Sequence, residues 1–288
     1  MIQSKNSLVR PFLKWAGGKR QLLKYINKYK PRNFNSYIEP FVGGGAVFLN
    51  FQLYQPIIND YNSELINTYK VVRDNINELI ELLKVHNKNN SKEYFYYIRS
   101  WDREESYSTR SAVERAARFI YLNKTGYNGL YRVNSKNQFN VPFGKYKNPN
   151  IVNEEVLRNV SFYLNESKTN IVCGDFESAV ENANAGDFIY LDPPYAPLKV
   201  DSNNFVSYTG GGFGYEEQVR LNKVFKKLDE RGCYVMLSNS SSDIIHDLYK
   251  DYNETTIVVG ASRSVNSKGS GRGKVDEVII MNYNFKNL

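Results

Sequence analysis

The ten residues Gly186–Tyr195, GDFIYLDPPY, constrain this chain more than any other segment. Phe188, Ile189, Tyr190 and Leu191 form a short apolar run of the kind that makes a buried strand. Pro193 and Pro194 end that strand, because neither carries the backbone donor that a sheet ladder needs. At its carboxyl end stand an acid, two rigid carbonyl-bearing residues and an aromatic ring. A residue before proline is held extended, so the Asp192 and Pro193 carbonyls point in fixed directions. Asp192 can accept a hydrogen bond from an amino group, and Tyr195 can offer a flat face. The set suits a planar molecule that carries an exocyclic NH2. An Asp-Pro pair alone would equally suit a plain strand-to-loop turn; the whole segment points to a pocket.

Charge narrows the partner. The 288 residues carry a formal net charge of +8 and a pI near 9.2, which favours an anionic partner. Between Arg115 and Asn150 there is no Asp or Glu, but seven basic residues: Arg115, Arg118, Lys124, Arg132, Lys136, Lys145 and Lys147. Seven aromatics lie among them: Phe119, Tyr121, Tyr127, Tyr131, Phe139, Phe143 and Tyr146. Cations suit phosphates and rings suit unstacked bases. Phe119 and Tyr121, beside Ala116 and Ala117, are expected in a helical core instead.

Other classes are disfavoured. No apolar run approaches the length of a membrane span, and MIQSKNSLVR lacks the apolar stretch of a signal peptide. Two cysteines, Cys173 and Cys233, give no disulfide framework or C-x-x-C pair, so a reducing cytoplasm is the expected setting. With only His86 and His246, both in helix-like surroundings, no zinc site and no metal is expected, and histidine acid–base chemistry has few candidates. The absence of H-x-E and P-C-x-x-C elements excludes a zinc deaminase.

The chain opens as an α/β sheet. Tyr37–Phe41 reads as a strand, followed by Gly43, Gly44 and Gly45, a helix from AVFLNF, and a second strand at 56–59 that ends at Asp60. From Asn62 to about Arg118 the apolar spacing is helical: Ile66, Tyr69, Val72, Ile76, then Leu79, Leu82 and Leu83. Residues 127–149 read as loop or β-hairpin. Strands resume at 171–173, 188–191 and 234–237, with a last one at 278–282 after a Gly/Ser/basic loop, 260–274. These elements predict a discontinuous α/β domain, 1–62 with 160–288, and a mostly helical insertion, 63–159.

Two glycine motifs bear on ligands. In FVGGGAVF the third glycine of a dinucleotide fingerprint would fall on Phe48, so a pyrophosphate is not specified. A cofactor with a ribose but no pyrophosphate fits better, and S-adenosylmethionine is such a molecule. Asp60 is placed to bind ribose hydroxyls, and Glu39 to face the cationic methionine end. In KWAGGK, Leu13 and Arg20 break the P-loop pattern. The Gly-Gly turn suggests backbone folded over a ligand with Trp15 as packing surface; a purely structural role stays open.

In this order the elements resemble the Dam-type family of adenine-N6 DNA methyltransferases (D12 class, alpha group). The matching segments are FLKWAGGKRQLL, YIEPFVGGGAVFLN, INDYNSELI, NGLYRVNSKNQFNVPFG, GDF at Gly174–Phe176 and DFIYLDPPY, with weaker support from SYTGGGF and LSNSSS. They span nearly the whole chain, and 127–144 is closest to members that methylate GATC. The resemblance implies a Rossmann-like S-adenosylmethionine-dependent methyltransferase sheet with a helical target-recognition insertion, acting on GATC sites in double-stranded DNA. It implies that Trp15, Lys19, Phe41, Gly43, Gly45, Asp60 and Asp192 contact the cofactor together with Glu39, and that Asp175 and Phe176 lie near its adenine. Asp192, Pro193, Pro194 and Tyr195 would hold the target base. Lys14, Tyr127, Asn128, Leu130, Arg132 and Pro142 would face DNA and read its sequence. Arg132 suits that role, because guanidinium pairs bidentately with a guanine edge. Lys145, Lys147, Arg263, Lys268, Arg272 and Lys274 are expected on phosphates. A prokaryotic or phage origin and a companion restriction endonuclease acting on the same site are further expectations.

The expected mechanism flips the adenine onto Tyr195 and sets its N6 against Asp192 and the Pro193 carbonyl, by alignment and electrostatics without a covalent enzyme intermediate. Three other readings remain. An RNA or protein amide methyltransferase could use the same D-P-P-Y chemistry, although the basic insertion argues for DNA. A nicotinamide oxidoreductase is disfavoured by Phe48, and a DNA-binding protein without activity by the intact DPPY.

Overall fold

The run Phe188–Leu191 is a strand with all four side chains buried and a parallel neighbour on each side. In the computed structural model, which describes residues 5–15, 19, 21–198, 212–262 and 274–285, the chain divides into two units. One comprises residues 1–19, 43–54 and 62–173; the other 20–42, 55–61 and 174–288. Outside the described residues lie 16–18 of the KWAGGK turn, all of SYTGGGF except Gly212 and Phe213, and Arg263, Lys268 and Arg272.

Seven strands occur among the described residues: β1 (Tyr37–Glu39), β2 (Ile57–Asp60), β3 (Asn170–Cys173), β4 (Phe188–Leu191), β5 (Tyr234–Ser240), β6 (Thr256–Ser262) and β7 (Lys274–Met281). The second unit holds six of them in the order β2-β1-β4-β5-β7-β6. β1 is parallel to β2 and β4, pairing Ile38 with Ile57 and with Ile189. β4 is parallel to β5 from Phe188–Tyr234 to Leu191–Leu237. β7 runs antiparallel to β5 and β6. The chain lays β2 on one side of β1 and then returns to lay β4 on the other. The gap at the carboxyl ends of β1 and β4 is therefore the switch point where open α/β sheets bind ligands. Ile38, Ile189, Leu191, Val235, Leu237, Val278 and Ile280 form the sheet's part of the core, with Leu221, Val224, Phe225 and Leu228 of a long helix, Tyr215–Glu230.

The C-terminal strands correct the sequence reading. β7 starts at Lys274 rather than Val278, and β6 was not foreseen. β6 ends the sheet order. Val258 is 56% exposed and Val259 is buried, so its apolar residues lie on both faces and carry no clear period of two. Its partner β7 is set by tertiary pairing, which local pattern does not report.

The first unit is helical where the apolar spacing predicts it: Ser63–Asp74, Ile76–Lys88, Lys92–Ser100 and Ala112–Thr125, followed after the 127–149 loop by Glu154–Glu166. Asn62 and Ser91 cap two of these helices, and Ser111 with Glu114 forms a capping box on a third. Leu65, Tyr69, Val72, Leu79, Leu83, Ile120 and Tyr121 are fully buried within them. The 127–149 segment is an irregular hairpin, held by antiparallel bridges Gly126–Phe143 and Val133–Phe139.

Candidate active site

In the second unit, Asp192 follows β4 directly and is half-buried, with Pro193 buried, Pro194 exposed and Tyr195 half-buried. The segment is tied down along its length. Ser238 donates to Asp192 Oδ1 at 3.0 Å, and the Tyr195 hydroxyl donates to Glu277 at 2.9 Å. Gln218 donates to the Pro194 carbonyl at 2.9 Å. The Ala196 amide donates to Asn239 at 3.1 Å, and Ser240 donates to the Ala196 carbonyl at 2.6 Å. Burial, and then the Asp192 carboxylate, holds the Tyr195 phenol far above its ordinary pKa, so it stays a donor. None of Gln218, Ser238, Asn239 and Glu277 was singled out from sequence; only LSNSSS hinted at the first serines.

Glu39 ends β1 and is 2% exposed, and it accepts a hydrogen bond from Tyr37 at 2.5 Å. Asp60 ends β2, half-exposed. Asn59 donates to the carbonyls of Pro40 and Gly174, both at 3.0 Å, and so fixes the loops after β1 and before Asp175. Phe176 stacks on Phe41, with centroids 5.3 Å apart, and Phe213 meets both rings. Asp175 caps the short helix of Phe176 by accepting from the Glu177 amide at 2.9 Å. Its other oxygen pairs with Arg220, whose guanidinium lies 4.3 Å from the centre of the Phe176 ring. Arg220 is a further residue of this site without a local sequence signal, and Phe213 had only the weak one of SYTGGGF.

The remaining predicted cofactor residues belong to the first unit. Lys19 is buried and Trp15 half-buried. Gly43 sits at φ +47°, and a Cβ there would stand 2.7 Å from Trp15 Nε1, so only glycine lets the turn lie against that indole. Gly45 is two residues on, above Tyr69, whose hydroxyl donates to the Gly43 carbonyl at 3.0 Å. Trp15 is also stacked with Tyr131 at 5.9 Å and 17°.

The basic segment lies in the same unit and divides. Arg115 pairs with Glu64 and the buried Arg118 with Asp102, so these two cations serve the fold. Burial, and then Lys14, lowers the pKa of Lys124 to about 8. Arg132, Lys136, Lys145 and Lys147 are exposed. Tyr127 and Asn128 are exposed at the hairpin's start, with Asn128 left-handed at φ 55°; Pro142 is exposed and Leu130 half-buried. Arg132 Nε donates to Asn140 at 2.7 Å. Lys14 is exposed but tethered. Asn123 bonds both its amide and its carbonyl, at 2.9 and 2.7 Å, and its ammonium lies 4.3 Å from the centre of the Tyr146 ring. Phe119 and Tyr121 are core as expected, and Phe139 is core as well, which corrects the count of rings open to a base.

A family model, D12 class N6 adenine-specific DNA methyltransferase, matches residues 15–265. The chain belongs to this family. It is similar to the Type II methyltransferase M1.LlaDCHI of Lactococcus lactis subsp. cremoris, at 52% identity over 98% of this chain and 99% of that one. Similarity to the Type II methyltransferase M.MjaIII of Methanocaldococcus jannaschii is 45%, covering 96% and 99%. To the DNA adenine methylase of Escherichia coli (strain K12) it is 35%, covering 94% and 95%. Among the described residues no helix is long and apolar enough to cross a membrane.

Methyltransferases of this kind generally use S-adenosylmethionine, and the donor set of the second unit matches that molecule in chemistry. Glu39 supplies a buried carboxylate for an ammonium or sulfonium cation, and Asp60 a half-exposed one for a diol. Phe41, Phe176 and Phe213 supply flat apolar faces for a purine.

Proposed function

We propose that this methyltransferase moves a methyl group from S-adenosylmethionine to N6 of an adenine flipped out of double-stranded DNA, within GATC. The observation that carries the reading is the DPPY row itself. Its acid and its Pro194 carbonyl are held by hydrogen bonds at the carboxyl end of β4, in a chain whose relatives include proteins named DNA adenine methylase.

Tyr195, its hydroxyl anchored on Glu277, presents a ring face on which the flipped base stacks. Asp192 and the Pro193 carbonyl accept the two amino hydrogens, and this draws the N6 lone pair out of conjugation with the ring. Phe41, Phe176, Asp175, Asp60 and Glu39, with Trp15, Lys19, Gly43 and Gly45, hold the cofactor. When bound, S-adenosylmethionine supplies an electrophilic sulfonium methyl. Pre-set acceptors cost no reorganisation as charge develops, so alignment and electrostatics carry the acceleration.

Residues 63–159 serve as the target-recognition insertion of a catalytic domain, 1–62 with 160–288. Lys14, Tyr127, Asn128, Leu130, Arg132 and Pro142 read the site, and Lys145 and Lys147 hold phosphates. The Arg132–Asn140 bond takes Nε, so Nη1 and Nη2 make the bidentate contact to guanine. The Type II relatives favour a partner endonuclease of the same specificity. The test is expression in methylation-free cells followed by digestion of their DNA. Resistance to a GATC endonuclease that adenine methylation blocks is expected; complete cutting overturns the specificity.

A further inference from the structure

The segment Ser238-Asn239-Ser240 of β5 has no part in the role assigned to DPPY above, yet each of its side chains bonds to DPPY, to Gln218 that holds it, or to Ala196 that follows it. All three residues are fully buried. Ser238 Oγ lies 2.8 Å from the Tyr190 hydroxyl and 3.0 Å from Asp192 Oδ1. An ionised carboxylate only accepts, so the single Ser238 proton goes to Asp192 and Tyr190 donates to Ser238. The direction is fixed: Tyr190 O–H to Ser238, and Ser238 O–H to Asp192. Burial holds the Tyr190 phenol well above its ordinary pKa, so the first donor is never lost. Asn239 meanwhile accepts from the Ala196 amide and donates to Gln218 at 3.1 Å, and Gln218 donates to Pro194. Ser240 donates to the Ala196 carbonyl. Backbone on both sides of Tyr195 and the side chain of Asp192 are thus fixed from one strand.

We propose that Ser238, backed by Tyr190, is a positioning residue for methyl transfer: it sets the rotamer and ionisation of Asp192, while Asn239 and Ser240 fix the backbone that carries Tyr195. The proposal rests on the reading of Asp192 as the acceptor of the adenine amino group. The relay acts through Asp192 and touches no substrate. Donation to the charged form favours that form, so its removal raises the Asp192 pKa. Among the described residues, Tyr190 on β4 and Tyr195 both lie within electrostatic reach of Asp192, and Glu39 on β1 and Glu277 on β7 act on the same Tyr190 phenol; neither tyrosine titrates in the working range.

The test measures kcat, KM for DNA, cofactor Kd, melting temperature and the pH profile of kcat for Ser238→Ala, Ser238→Cys, Tyr190→Phe, the Ser238→Ala/Tyr190→Phe double variant and Asp192→Ala. Ser238→Ala is expected to lose roughly ten- to hundredfold in kcat, the loss of one hydrogen bond to a charged group. KM and cofactor Kd should hold near wild type, the melting temperature should fall only slightly as the buried Tyr190 hydroxyl loses its acceptor, and the acidic limb of the profile should move to higher pH. Ser238→Cys, with its weak donor, should fall between. Tyr190→Phe should lose less, and nothing further once Ser238 is Ala. Full kcat in Ser238→Ala beside an inactive Asp192→Ala overturns the relay and leaves the role of Asp192 standing. A parallel loss of kcat, binding and melting temperature with an unmoved pH profile also overturns it, because it makes Ser238 a packing residue. An active Asp192→Ala overturns the underlying reading instead.

Discussion

Asp102→Ala is the perturbation that most directly links the stability of the first unit to its choice of target. The Asp102 and Arg118 side chains are only 8% and 5% exposed, and they pair at 2.7 Å. Asp102 Oδ2 also accepts the Phe139 amide at 2.7 Å, and Arg103, itself paired with Asp102, donates to the Phe139 carbonyl at 2.8 Å. The hairpin that carries Arg132 is thereby clipped onto the turn after helix Lys92–Ser100. Removing one partner of a buried ion pair costs about 3–5 kcal/mol. The low end applies, because Arg118 keeps the Ile98 and Arg99 carbonyls at 2.9 and 3.0 Å. The orphaned Phe139 amide adds about 1 kcal/mol, which gives roughly 4 kcal/mol in all. Urea unfolding followed by circular dichroism should show that loss, with a fall in Tm of about 10 °C. Asp102→Asn keeps an acceptor for Phe139 but not the charge, and should recover about half. With Phe139 released, single-turnover methylation should discriminate less between a GATC duplex and one altered at a single base. A stability change below about 1 kcal/mol, with discrimination intact, would show that Asp102 holds neither the core nor the hairpin.

Two further outcomes follow from the first unit. His86 is buried beside Tyr94 at 2.8 Å, and burial lowers its pKa from 6.5 to about 4. The unfolded chain takes up a proton that the folded chain refuses, so stability should fall as pH drops from 6.5 towards 4, by roughly 3 kcal/mol at the acidic end. Unfolding curves at pH 7 and 5 for wild type and His86→Phe test this; equal pH slopes would sink it. Gly129 sits at φ +63°, where a Cβ would stand 2.6 Å from Lys14 Cβ. Gly129→Ala should displace Lys14 and weaken GATC binding roughly tenfold in an anisotropy titration, at a strain cost of about 1–2 kcal/mol. Unchanged affinity would detach Lys14 from DNA.

What the sequence disclosed and what it withheld divide along chain distance. The strand before DPPY, the Gly turn and the helical spacing from Asn62 to about Arg118 were legible, because each is a local pattern of apolar residues, proline or glycine. The partners of DPPY were not: Ser238 lies 46 residues from Asp192 and Glu277 lies 82 from Tyr195. A serine, an asparagine and a glutamate carry no signal until the β4–β5–β7 pairing sets them beside the acid. Likewise, Arg118 reads as one more cation in a basic run, until burial beside Asp102 makes it structural. Charge counting cannot separate a clamp from a phosphate contact.

Nucleoside mass spectrometry shows which base the protein methylates and whether Asp192 is needed for it. Purified protein and S-adenosylmethionine are incubated with a duplex that contains one GATC, with a duplex in which that site is scrambled, and in parallel with Asp192→Ala. N6-methyldeoxyadenosine is expected from the GATC duplex alone, and none from the Asp192→Ala protein. Methylated cytosine as the product, or N6-methyldeoxyadenosine formed by Asp192→Ala at a wild-type rate, would contradict the proposed function.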